Sequence, residues 1–181
     1  METSHKHHQT AEIGRQFKMH FRNDTKIIKA GRPVKLYFKP ELVDQPGFIV
    51  PLSFLHEKKI HLIIMSKDLG YFSHVHPELS ENGEYVWEHI FPSGGHYLLF
   101  QDYMPEEAVQ QLGRQEIHIS GEEMAKGPTE SVVNIWKEGE YEVNIFPNGS
   151  SLKVNADVMI KAVVTKNGLP VTDLEKYLGS L

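Results

Sequence analysis

Cysteine is absent from this sequence, which removes disulfide staples, thiolate metal sites and cysteine nucleophiles in one step. Positive charge is not in excess either. Nineteen Lys and Arg stand against 24 Asp and Glu, for a formal net charge of -5, so the chain lacks the basic stripe that a phosphate backbone requires and no nucleic-acid partner is expected. No apolar run approaches the roughly 18 residues of a membrane span, so no membrane span is expected. Residues 1–15 lack the basic, apolar, small-residue succession of a secretory signal. As written the chain reads as cytoplasmic, or as exported if the sequence is a processed form. A phosphate-cradling loop and paired acid–base carboxylates are missing too, and the reading is therefore not of an enzyme.

What is present is a 181-residue chain that can bury a core, with 40% hydrophobic and 24% charged residues. Its runs are short: FKMHF (17–21), PVKLYFK (33–39), KIHLIIMS (59–66), YFSHVH (71–76), EYVWEHIF (84–91), GHYLLFQDY (95–103) and EIHIS (116–120). They read as strands, and GRP (31–33), SENG (80–83) and PSGG (92–95) supply turn chemistry between them. PEEAVQQLG (105–113) has a proline start, early acids and a closing glycine, which predicts a short helix.

The expected organisation is a flexible His-containing tail over 1–15, a β-sandwich domain over 16–120, a linker over 121–131 and an incomplete second β unit over 132–181. YEVNIF (141–146), SLKVN (151–155) and DVMIKAVVTKNG (157–168) repeat, weakly, the apolar order of the first strands. Three strands of half a sandwich leave an unpaired edge, so residues 132–181 are expected to pack on the first unit or to pair in a homodimer, with DLEKYLGSL as a closing helix.

Histidine is the outlier: there are 11, against seven Tyr and nine Phe, and they cluster. His74 and His76 lie two apart on a strand, so both project to one face about 6.6–7 Å apart. Pro77 cannot continue a central ladder and ends the strand beside them. If 59–66 and 71–76 form a hairpin over KDLG, His61 supplies a third imidazole, and Asp102 near the end of the next strand adds a carboxylate. His89, His96 and His118 are further candidates, and Met65 and Met104 leave a thioether ligand open. An imidazole and carboxylate set suits a divalent ion such as zinc, copper, nickel or iron, with copper or zinc the expected cofactor, and affinity should fall below about pH 6 as imidazole protonates. The competing explanation is structural: histidines bonded to backbone, methionines filling core, and Asp102 capping a turn.

HLIIMSKDLGYFSHVHPE followed by EYVWEHIFPSGGHYLLFQDYMP resembles a bacterial family of largely uncharacterised, often exported sandwich proteins, over about residues 59–105. PVTDLEKYLG (170–179) looks like the start of that family's second unit. The resemblance implies an immunoglobulin- or cupredoxin-like β-sandwich and an association with copper or other heavy metals. A rival pattern is the cupin ligand order, in which His74, His76 and Glu81 would be followed by Pro92, Gly94 and His96; it would imply a metal-dependent enzyme.

Overall fold

The computed structural model describes residues 15–123, 134–147 and 155–175. The chain divides into two compact units, 1–127 and 128–181. The described residues contain strands and turns but no helix.

The described residues of the first unit form nine strands: β1 (Phe17–Asn23), β2 (Pro33–Leu42), β3 (Leu52–Ser53), β4 (Ile60–Ser66), β5 (Phe72–Val75), β6 (Glu78–Leu79), β7 (Tyr85–Ile90), β8 (Gly95–Pro105) and β9 (Gln111–Ile119). One antiparallel sheet runs β1-β2-β7-β6. In the other, β8 pairs with β3, β4 and β9, and β4 carries β5 on its far edge. Alternation along the strands turns one face of each sheet inward. Leu36 and Phe38 of β2, Leu62 and Ile64 of β4, and Tyr97 and Leu99 of β8 are all fully buried in one apolar cluster. Two antiparallel sheets sharing one core make an all-β sandwich.

The helix expected over 105–113 is not formed. The chain turns at 106–108, with Glu107 at φ 59°, and β9 then pairs with β8 from Gln111 onward. Val109 and Leu112 are the only large apolar residues of that segment, too few for a helical face to bury, whereas pairing with β8 satisfies the backbone of the whole strand. Residues 121–123, expected at the start of the linker, contact the first unit. Gly94 N–H donates to the Glu122 carbonyl at 2.7 Å, and a Cβ on Gly94 would lie 2.2 Å from the Gly121 oxygen.

The described residues of the second unit form a four-stranded antiparallel sheet in the order β10 (Ile135–Glu138), β11 (Tyr141–Pro147), β12 (Ile160–Lys166), β13 (Leu169–Pro170). None of its described residues is buried. β10 was not evident in the sequence, because NIWKEG carries only two large apolar residues. The N-terminal histidines His5, His7 and His8, most of SLKVN and the end of the predicted closing helix lie outside the described residues.

Candidate metal centre

The site is built on the β4–β5 hairpin. Its turn is held locally: Tyr71 N–H donates to Ser66 Oγ at 2.9 Å, and Gly70 N–H to Asp68 Oδ1 at 3.0 Å. The register sets Ile63 opposite His74 and Leu62 opposite Val75, so one more step brings His61 level with His76. Because directly opposed residues share a face, His61, His74 and His76 come together on the outer side of the sheet, while Leu62 and Ile64 point into the core. Pro77 is buried immediately beyond, where the chain leaves β5 and enters β6 of the opposite sheet.

The three rings converge. His61 Nδ1 is 3.1 Å from His74 Nε2 and 3.2 Å from His76 Nε2, and one ligand nitrogen from each ring lies within 4.8 Å of the others. A tetrahedral zinc with Zn–N of about 2.0–2.1 Å spaces its nitrogens about 3.3 Å apart and its imidazole centroids about 5 Å apart. The observed centroid separations are 5.3, 4.9 and 4.9 Å. The group can hold a metal ion.

Which nitrogen of His61 is protonated follows from its other contact. Nε2 lies 2.7 Å from the Leu55 carbonyl oxygen, and a carbonyl only accepts, so Nε2 carries the hydrogen and the Nδ1 lone pair faces His74 and His76. Metal-bound histidines show this arrangement, in which the second ring nitrogen donates to a backbone oxygen and fixes ring and tautomer. Burial, then the neighbouring His61, holds His74 below the usual imidazole range. The same two causes, joined by His74 and Lys58, push His76 down to about 4. Both effects favour neutral imidazole, the form that ligates.

The remaining sequence candidates lie elsewhere. Asp102 is directly across from His61 on β8, but both its oxygens accept from Gln110 Nε2, at 2.7 and 2.8 Å, and it is not part of the converging group. His96 and His118 face each other across β8 and β9 with rings 5.0 Å apart, and His96 Nδ1 lies 3.1 Å from Glu116 Oε1. Glu81 sits exposed in the turn before β7, so the cupin ligand order is not assembled. Met65 and Met104 are half-buried on their strands.

His89 is a core histidine. Trp87 Nε1 donates to its Nδ1 at 3.3 Å, Tyr71 Oη is 3.2 Å from its Nε2, and Phe91 packs on its ring edge. Burial holds its imidazole below the ordinary range, so the folded chain takes up its proton at lower pH than the unfolded chain does. The stability this provides is complete above an unfolded value of about 6.5 and is lost as pH falls through the folded value. Denaturant midpoints of chelator-treated protein should therefore drop between pH 7.5 and 5, and the drop should shrink in His89→Gln; identical drops in the two proteins would contradict this.

Missed in the sequence were the Leu55 carbonyl and His56, whose ring lies 6.2 Å from that of His61. A backbone acceptor leaves no residue-type signal, and LHEKK has none of the Gly or Asn that marks a tight turn.

Fold and site together define a class: a β-sandwich module with a three-histidine group at the rim of one sheet. The chain belongs to the family described as Domain of unknown function (DUF8832), which it matches over residues 11–115, more than half of its length and all three histidines. No curated protein matches the sequence.

Proposed function

We propose that the first unit captures or buffers one divalent transition-metal ion, copper or zinc, through His61 Nδ1, His74 Nε2 and His76 Nε2, and that it acts as a carrier rather than a catalyst. The observation that carries this reading is the convergence of the three nitrogens, with His61 Nε2–H spent on the Leu55 carbonyl. An imidazole donor set favours zinc and copper over the hard, oxygen-seeking magnesium and calcium. Exposure of His74 at the sheet rim gives the ion a way in and out, as exchange with a donor or acceptor demands.

Calorimetric titration of the full chain with Cu(II) and Zn(II) tests it. One ion per chain should bind to the parent protein, and His74→Ala/His76→Ala should lose that binding. Equal affinity in the double variant would sink the assignment.

A further inference from the structure

Three imidazoles leave a zinc or copper ion one donor short of four-coordination. The segment that bonds His61 carries another histidine. Ser53 of β3 pairs with Met104, and Ile60 of β4 pairs with Tyr103, its immediate neighbour on β8. Residues 54–59 are thus an excursion between two consecutive positions of the ladder. It closes on itself: Leu55 N–H donates to the Lys58 carbonyl at 2.7 Å, and Lys58 N–H to the Leu55 carbonyl at 3.2 Å. His56 and Glu57 form the tip, both left-handed, at φ 47° and 66°.

Two left-handed central residues are the signature of the type I′ hairpin turn, which ordinarily takes Asn-Gly or Asp-Gly. Placing two side-chain-bearing residues there strains the backbone at both positions. Strain of this kind persists where the surrounding structure holds it, and here the excursion is tied to the histidine group through the Leu55 carbonyl on His61. The His56 ring stands edge-on to His61 at 6.2 Å, about an ångström beyond the roughly 5 Å that imidazoles on one ion adopt. His56 is exposed at the tip of the turn, so bringing its ring that ångström closer asks for a change of the side chain and its present contacts and not of a buried core residue.

Resting on the three-histidine reading, we propose that His56 is the fourth ligand, swung in from the tip of the 54–59 turn when a zinc or copper ion binds. The consequence is chemical. Four protein donors close the coordination sphere, leaving no open position for a substrate or an activated water, which is the arrangement of a holding site and not of a catalytic one. The strained turn acts as a latch: it places an imidazole near the ion without burying it beforehand, so the same side chain can withdraw on release.

The test is His56→Asn in the full chain, with Zn(II) as the probe. Asparagine adopts left-handed backbone readily, so the turn survives while the imidazole is removed. Zinc affinity should fall roughly tenfold or more, X-ray absorption should count four imidazoles on zinc in the parent and three in the variant, and the unfolding midpoint of chelator-treated protein should not fall. Unchanged affinity, with three imidazoles in the parent, would overturn the role of His56 and leave the three-histidine site standing. A parent chain that binds no zinc would overturn both.

Discussion

His61→Ala is expected to lower copper or zinc affinity at least a hundredfold, about 2.7 kcal/mol, while Asp102→Asn leaves it within about twofold. His61 is the apex of the group. Its Nδ1 is the atom that both other rings approach, at 3.1 and 3.2 Å, and it is the one ligand of the three that is buried, with its ring already fixed by the Leu55 carbonyl. Removing it takes away the preorganised donor and leaves two imidazoles, His74 near the end of β5 and His76 just past it. Asp102 shares the same rung of the ladder, yet its carboxylate is engaged by Gln110, so losing its charge removes no donor. Competition titration against a chelator of known affinity separates the two variants. Equal losses in both would mean that the ion sits between β4 and β8 and not between β4 and β5.

Leu62→Ala should cost about 2–5 kcal/mol of stability, the range for emptying a leucine site in a packed core. Leu62 is completely buried, next in sequence to His61 and on the opposite face of β4. One strand therefore carries core on one side and ligand on the other. A metal that binds only the folded chain adds about 2.7 kcal/mol at a hundredfold excess over its dissociation constant, so zinc should restore part of the loss. Ile63→Ala, at a half-exposed position on the ligand face, should cost markedly less. Urea unfolding with and without zinc gives all four numbers. A zinc effect absent from the Leu62 variant and from the parent alike would disconnect the ion from the fold.

The strand runs and the histidine pair were legible because both depend on period-two alternation. HLIIMS and FSHV read as strands, and a hairpin over KDLG brings His61 toward the end where His74 and His76 lie; the register that sets His61 level with His76 is fixed by the pairing itself. PEEAVQQLG misled for a related reason: its end signals are those of a helix, but end signals are local and the unpaired edge of β8 is not. Asp102 was singled out from its position along β8, and position does not reveal that Gln110, eight residues later, folds back onto its carboxylate.

By itself, then, the order of residues determined an all-β chain, the hairpin, and an imidazole donor set without thiolate. These follow from composition and from side chains that alternate along neighbouring strands. Only the tertiary structure decided that His61 offers Nδ1, that residues 54–59 leave the ladder between adjacent residues of β8, and that the His56 ring stands edge-on to that of His61. Those features rest on a backbone carbonyl and on the six-residue offset between two registers, and neither is encoded in the identity of any one side chain.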